Sequence, residues 1–301
     1  MNHAIFGVHC AAATPVTAEG VPDLKLFATH CRALLDEGCH GIAMLGTTGE
    51  ANSFGLHQRK ALLEAAIAGG VPAETLLPGT SAPSVADTIE LTSHAVNAGA
   101  KGCVLLPPYY YKNVSDEGLF RFYARVIEGV GDTRLRVVLY HIPQVSQTPI
   151  SHDLIDRLMT AFPGIVTGIK DSSGDLKNMQ AMCERFPRLG VLAGADPLMQ
   201  PLLRMGGAGC ITATSNLRAD ALRIVWDAWN DPASAAEVDA AQARINDWRD
   251  LTNRYVQLPT VKTMLARSRN DLAWLNVLPP LVPLPQDERE DVWAEMARLG
   301  G

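Results

Sequence analysis

The feature that most constrains the fold is a series of eight short apolar runs along the chain. None of them alternates with polar residues, which is typical of strands buried on both faces of a parallel sheet. The runs are VHCAAA from Val8, GIAML from Gly41, TLLPG from Thr75, GCVLL from Gly102, VVLYH from Val137, GIVTGIK from Gly164, GVLAG from Gly190 and GCITA from Gly209. Because parallel strands need long crossover connections, we expect helices between the runs.

The intervening stretches have the apolar spacing of helices and carry glycine near their C-terminal ends. Examples are residues 23–38, 57–70, 85–99 and 116–130. Such units can build an open doubly wound sheet or a closed barrel, and eight of them over about 225 residues match the barrel better. We therefore predict an α/β fold, a (β/α)8 TIM barrel.

The alternation stops after about Leu222, and three further helices are predicted beyond it. They span residues 226–255, 260–269 and 286–299. The sequence thus predicts two regions: residues 1–222 form the barrel with the active site, and residues 223–301 form a C-terminal helical appendage.

Composition and charge exclude several classes of function. The 301 residues are 47% hydrophobic and 19% charged, which is typical of globular proteins and argues against disorder. The formal net charge is −6 and the basic residues form no long run, so nucleic acid is not expected as a partner. No apolar stretch approaches the ~20 residues of a membrane span, and the N-terminus lacks a signal-peptide pattern, so we expect a cytoplasmic protein without membrane contact.

The cysteines show neither CxxC spacing nor a histidine at the spacing of metal ligands. They are Cys10, Cys31, Cys39, Cys103, Cys183 and Cys210. Most of them sit among small apolar residues, so we expect reduced thiols in the core and no metal site.

Lys170 ends the apolar run GIVTGI, directly before the turn Asp171-Ser172-Ser173-Gly174. At the carboxyl end of a barrel strand an amine is partly desolvated, which favours the free form that attacks a carbonyl. This placement suits a lysine that forms a Schiff base. The alternatives are a lysine that extends to solvent or one that pairs with Asp171.

A glycine- and threonine-rich loop, Gly46-Thr47-Thr48-Gly49-Glu50, follows the second predicted strand. Backbone N–H groups and two hydroxyls in such a loop can bind a carboxylate. It is not a phosphate-binding Walker loop, because the GxxxxGK[ST] pattern is absent. The alternative is a turn that caps the next helix, with Glu50 as a structural hydrogen-bonding group.

Two tyrosine features lie at the ends of other predicted strands. Tyr140 is the penultimate residue of VVLYH, where a phenol can move protons to and from a substrate, although buried structural tyrosines are commoner. Three consecutive tyrosines, at residues 109–111, follow the strand GCVLL. They are candidates for contact with another subunit, and this contact does not exclude a role in the site.

Taken together, GTTGE, PPYYY, LYHIP and GIKDSSG, in this order on four predicted strands, resemble the dihydrodipicolinate synthase and N-acetylneuraminate lyase family of class I aldolases. The resemblance implies that Lys170 forms a Schiff base with pyruvate or another 2-oxo acid. It implies that Tyr140 transfers protons, and that Thr47 and Thr48 hold the carboxylate, with Thr47 also in the proton relay.

Further site residues follow from the same resemblance. Tyr111 matches a tyrosine that synthase members insert into a neighbouring subunit's site. Because this chain has an extra tyrosine in the run, Tyr110 is the other candidate for that role. Gly46 belongs to the carboxylate-binding loop, and Gly194 and Ile211 match positions that line the site with backbone carbonyls. The implied chemistry uses a 2-oxo acid and an aldehyde, needs no metal or organic cofactor, and occurs in a homo-oligomer, a tetramer or a dimer.

Two departures from the family pattern bear on the substrate. Synthase members carry an arginine two residues after the proline of their YNxP segment, whereas here Pro143 is followed by Gln144 and Val145. Sialic acid lyases place an acidic residue after the aspartate of their sugar-binding loop, where this chain has Pro197. His141 stands where asparagine is common, either as a titratable group near the site or packed behind the strand.

These observations favour an aldolase that cleaves or forms a 2-keto-3-deoxy sugar acid or a related hydroxylated 2-oxo acid. A dihydrodipicolinate synthase with a displaced carboxylate anchor is an alternative. A dehydratase or hydratase-aldolase that uses the same imine is another, and a non-catalytic 2-oxo acid binder is the alternative from a different class.

Overall fold

The computed structural model describes residues 3–300, and within them strands and helices alternate along the chain. The strands of this described part are β1 (Gly7–Cys10), β2 (Gly41–Ile42), β3 (Cys103–Leu105), β4 (Val137–His141), β5 (Val166–Asp171), β6 (Gly190–Ala193) and β7 (Gly209–Thr212). All of them are buried along their whole length, as the absence of polar alternation predicts. Every strand pair whose register is resolved is parallel, which confirms the predicted α/β class.

Helices fill the stretches between the strands. They are α1 (Leu24–Asp36), α2 (Leu56–Ala68), α3 (Val85–Asn97), α4 (Asp116–Val130), α5 (Pro143–Ser146), α6 (His152–Ala161), α7 (Leu176–Arg185), α8 (Met199–Arg204), α9 (Ser215–Ala228), α10 (Ala235–Thr252), α11 (Gln257–Ser268) and α12 (Gln286–Arg298). Five of them begin after a serine or aspartate whose side chain accepts a hydrogen bond from the first helical turn. These N-caps are Asp23, Ser84, Ser115, Ser151 and Asp175. None of the helices in residues 3–300 is both long enough and apolar enough to cross a membrane.

The third predicted strand, TLLPG, is reduced to isolated bridges. Thr75 ends a 3-10 turn, and within the run Leu76 and Gly79 form isolated bridges, that of Gly79 to Val104 of β3. Leu76 and Leu77 are fully buried, so the apolar run packs into the core without becoming a strand. Pro78 explains the difference, because it has no N–H to donate to a ladder.

The described residues divide into two compact units, each built from separate stretches of the chain. In the first unit, residues 3–7 and 72–211, the strand order is β7-β6-β5-β4-β3. In the second unit, residues 8–71 and 212–300, β1 pairs with β2 and the C-terminal helices α10, α11 and α12 pack around a common apolar cluster. The predicted division of the chain at residue 222 stays a prediction.

The pairing of β4 with β5 contains a register shift. Val137 pairs with Val166 but Val138 pairs with Gly168, so Thr167 has no partner in the ladder. Such a bulge changes which residues of two strands face each other. Beyond it, Tyr140 stands opposite Lys170.

The prediction of core thiols is confirmed for the five buried cysteines, and Cys183 is half-buried. Burial raises the pKa of the Cys103 thiol to about 12 and that of Cys183 to about 11. Both groups therefore stay protonated at neutral pH, which disfavours nucleophilic or metal-binding roles.

Candidate active site

Lys170 and Tyr140 form the centre of the candidate site in the first unit. They are directly opposite each other on β5 and β4, and in parallel pairing opposite residues point to the same face. The Lys170 Nζ lies 4.3 Å from the centroid of the Tyr140 ring. Only 6% of Lys170 and 3% of Tyr140 is exposed, so the amine and the ring meet out of bulk solvent.

Neither structural alternative for Lys170 is right. The burial of its side chain rules out a lysine that extends to solvent. Asp171 is fully buried, and its carboxylate is engaged elsewhere: Oδ1 accepts from the Ser173 N–H at 2.8 Å and Oδ2 from Asn178 Nδ2 at 2.8 Å. As the next residue on the strand, Asp171 points to the face opposite Lys170.

A polar network behind β5 fixes the turn that follows Lys170. Because Asn178 donates its Nδ2 hydrogen to Asp171, its Oδ1 is left to accept from His152 Nε2, 3.0 Å away. The network connects the strand end to α6 and α7. Sequence analysis missed it, although an aspartate two residues before a serine N–H is a known turn signal.

His141 lies behind the strand, as one of the two alternatives predicts. It is buried opposite Asp171, and its Nδ1 accepts a hydrogen bond from the Ile150 N–H at 3.1 Å. Burial lowers the pKa of His141, and the neighbouring Asp171 opposes this shift only in part. The imidazole is therefore neutral at pH 7 and faces away from the Lys170 side.

Gly194 and Ile211 lie at the carboxyl ends of the two strands next along the sheet. The Gly194 N–H donates to the Asp171 carbonyl at 2.7 Å, and a Cβ at Gly194 would lie 1.9 Å from Ser172 Oγ. Ile211 is fully buried and follows Cys210, which pairs with the last residue of β6. Only glycine fits at residue 194, while the predicted use of both carbonyls stays a prediction.

The tyrosine loop between β3 and α4 presents two aromatic side chains to solvent. Tyr110 and Tyr111 are each 73% exposed, and their rings meet edge to face with centroids 5.3 Å apart. Lys112 anchors the loop, since its Nζ donates to the carbonyls of Tyr109 and, at 2.9 Å, Ser146. The predicted role of Tyr111 in another subunit's site stays a prediction.

Loop 46–50 belongs to the second unit. The left-handed backbone is at Leu45 (φ 57°), directly before the loop, and at Glu50 (φ 54°), its last residue, and not at its glycines. Gly49 is needed for close packing, because a Cβ there would lie 2.9 Å from the Ala12 carbonyl oxygen. Thr48 is buried, whereas Thr47 and Gly46 are half-buried.

Glu50 is the structural group that the alternative interpretation of this loop predicts. Its carboxylate forms an ion pair with Lys262 and accepts from the Leu278 N–H at 2.8 Å. Burial lowers the pKa of Lys262, and the Glu50 charge opposes this shift. Sequence analysis missed Lys262, because nothing in the local sequence connects α11 to this loop.

The residue at the arginine position of synthases is exposed. Val145 lies on α5 and is 61% exposed, while the preceding Gln144 donates from Nε2 to the Ser172 carbonyl at 2.6 Å. Neither side chain carries a charge. The segment after β4 therefore supplies no cation at this position for a second carboxylate.

We expect His141→Gln to make the free energy of unfolding less sensitive to acid. Burial keeps His141 neutral in the folded protein, so below pH ~6.5, the ordinary pKa of histidine, the unfolded chain takes up a proton that the folded chain does not. Stability therefore falls as the pH falls, and a glutamine removes this contribution. Urea unfolding at several pH values measures the effect, with the exposed His57→Gln as control. Identical pH dependence of the wild type and His141→Gln would contradict this account.

Comparisons with known proteins agree over nearly the whole chain. A DapA-like lyase from Chloroflexus aurantiacus is 34% identical over 294 residues, which cover 97% of this chain and 96% of the relative. Dihydrodipicolinate synthase from Agrobacterium tumefaciens str. C58 superposes with a TM-score of 0.90 at 31% identity, covering 98% of this chain and 99% of that chain. A prophage protein of the dihydrodipicolinic acid synthase family from E. coli K12, solved in complex with pyruvate, superposes with a TM-score of 0.89 at 27% identity, covering 98% and 99% of the two chains. Since the model of the dihydrodipicolinate synthetase family also matches residues 4–298, this chain belongs to that family.

Proposed function

We propose that this chain is a pyruvate-dependent aldolase that cleaves or forms a 2-keto-3-deoxy sugar acid or a related hydroxylated 2-oxo acid. The observation that carries the proposal is the buried amine of Lys170, held against the Tyr140 ring while the Asp171 carboxylate is engaged elsewhere. An amine in this environment is available to a carbonyl carbon, as Schiff-base chemistry requires. The pyruvate complex of the E. coli relative supports the substrate class.

In the cleavage direction, the Lys170 amine adds to the C2 carbonyl of the substrate. The carbinolamine loses water and leaves a protonated imine, whose positive charge accepts the electron pair of the breaking C3–C4 bond. The C4 hydroxyl gives its proton to Tyr140 or to the bound carboxylate, and the aldehyde leaves. The remaining enamine takes a proton at C3, and water releases pyruvate and the free amine.

The other predicted residues take supporting roles in this proposal. The Thr47 and Thr48 hydroxyls and the backbone at Gly46 bind the substrate carboxylate, and Thr47 takes part in the proton relay. The carbonyls of Gly194 and Ile211 line the site. Tyr111 enters the site of a neighbouring copy of this chain, which its exposure on a short anchored loop supports.

The same proposal covers the surroundings of the site. We take the parallel strands to close into a (β/α)8 barrel, with the C-terminal helices as an appendage, in a homotetramer or homodimer in the cytoplasm. The alternation of strands and helices and the TM-score of 0.90 to the Agrobacterium synthase support the barrel.

A second candidate is 4-hydroxy-tetrahydrodipicolinate synthase, which condenses pyruvate with aspartate semialdehyde. The similarity to the Agrobacterium structure favours it. The apolar, exposed Val145 disfavours it, because the second substrate of that reaction carries a carboxylate that needs a charged partner.

Borohydride reduction in the presence of pyruvate is expected to add a stable mass to the peptide that contains Lys170. Reduction turns the imine into a secondary amine that no longer hydrolyses. Lys170→Met should take no label, and the exposed Lys177→Met should be labelled like the wild type. An unlabelled wild type, or a labelled Lys170→Met variant, would contradict the proposed function.

Tyr140→Phe is expected to lower turnover about 100-fold or more, because it removes the proton-transferring hydroxyl. The ring under the amine remains, so pyruvate should still be trapped on Lys170. Tyr123→Phe is the matched control, since the Tyr123 hydroxyl is buried and has no hydrogen-bond partner in residues 3–300. Equal turnover of the two variants would exclude the role of Tyr140.

Pyruvate release from a panel of 2-keto-3-deoxy sugar acids is expected to be faster than condensation of pyruvate with aspartate semialdehyde. A missing hydrogen bond to a charged group costs about 1.5–3 kcal/mol, or about 10- to 150-fold in KM. Val145→Arg should therefore lower the KM for aspartate semialdehyde, and Val145→Gln should do so much less. Efficient condensation by the wild type would favour the synthase.

A further inference from the structure

Loop 46–50 ends in a backbone conformation that its own sequence does not favour. Glu50 adopts a left-handed conformation (φ 54°, ψ 30°), which costs energy for a residue with a Cβ. Two hydrogen bonds close the loop: the Glu50 N–H donates to the Thr47 carbonyl at 3.1 Å and the Ala51 N–H to the Gly46 carbonyl at 3.2 Å. Such a conformation persists only when its surroundings hold it in place.

The Glu50 side chain supplies that support. Its carboxylate and the Lys262 ammonium form an ion pair in which each side chain is only 1% exposed. Each partner of the ion pair makes one further hydrogen bond. Lys262 Nζ donates to the Asn276 carbonyl at 2.8 Å, and Glu50 Oε2 accepts from the Leu278 N–H at 2.8 Å. Two segments of the second unit, α11 and residues 276–278, therefore fix one loop residue.

The ion pair also controls charge next to the two threonines. Glu50 is two residues from Thr48, and an unpaired buried carboxylate there would repel an anionic ligand of the loop. Lys262 cancels this charge from the side of α11. The loop N–H groups and hydroxyls can then act as donors to an anion without a competing negative charge.

We propose that Lys262 is a positioning residue for the carboxylate of the 2-oxo acid. It acts through Glu50, by holding the left-handed end of loop 46–50 and by neutralising the charge beside Thr48. This inference rests on the proposed function, in which that loop binds the substrate carboxylate. It assigns to α11 a role in substrate affinity and none in the chemical step.

The test measures the initial rate of borohydride trapping of pyruvate on Lys170 as a function of pyruvate concentration. Lys262→Met is expected to raise the half-saturating pyruvate concentration about tenfold or more, because it releases the loop and leaves Glu50 uncompensated. The maximal trapping rate should stay near that of the wild type, since a change in ground-state binding alone leaves the chemical step intact. A residue that only stabilised the fold would not separate the two quantities in this way.

A second variant covers the case in which Lys262→Met fails to fold. Glu50→Ala combined with Lys262→Met leaves no buried charge unpaired but removes both anchors of the loop. It should fold, as urea unfolding would verify, and should also raise the half-saturating pyruvate concentration, by the part that comes from release of the loop. Glu37→Gln is the control, because it removes the Glu37–Arg269 pair of the same unit without touching the loop.

The outcomes separate this inference from the proposed function. If the wild type is not trapped by pyruvate at all, the proposed function fails. If the wild type is trapped and the folded variants at Glu50 and Lys262 share its half-saturating concentration, the proposed function stands and the role of Lys262 is wrong. An equal rise in Glu37→Gln would also overturn it.

Discussion

The pairing of β4 with β5 is the interaction on which the candidate site depends. Because Thr167 is left out of the ladder, the strands shift by one residue and Lys170 comes to stand opposite Tyr140. Without the shift, Tyr140 would stand opposite Ile169, and Lys170 would stand opposite His141. In a parallel sheet one residue of register exchanges the two faces of a strand, so the bulge decides which groups meet.

Two buried lysines in the described part of the chain have different surroundings. Lys262 has a carboxylate partner and a carbonyl acceptor, which is the usual condition for a charge in a protein core. Lys170 is nearly as buried, but its amine lies against the Tyr140 ring, and the neighbouring Asp171 carboxylate is engaged elsewhere. A buried amine held against a ring is the arrangement that the proposed Schiff-base chemistry uses.

Sequence reasoning recovered what local patterns encode. Buried parallel strands, capped helices and a lysine at a strand end all follow from residues close together in the chain, and the structure has them. The failures have long-range or single-residue causes: Pro78 interrupts a predicted strand, Thr167 makes a bulge, and Lys262 reaches Glu50 from the far end of the sequence. Apolar spacing carries no information about any of these three, because periodicity predicts which face is buried and not which partner lies across it.

Under the proposed function, the two faces of β4 and β5 allow reaction class and substrate choice to be separate properties of one fold. On one face the buried pair of Lys170 and Tyr140 requires the register of the strands, and on the other Asp171 anchors the turn, so neither can change without disturbing the sheet. Val145 and Tyr111 are exposed on the segments that follow the strands. Under the proposed function, substitutions there would alter what the substrate contacts and leave the buried pair intact, so the loops would set the second substrate and the strands the reaction class.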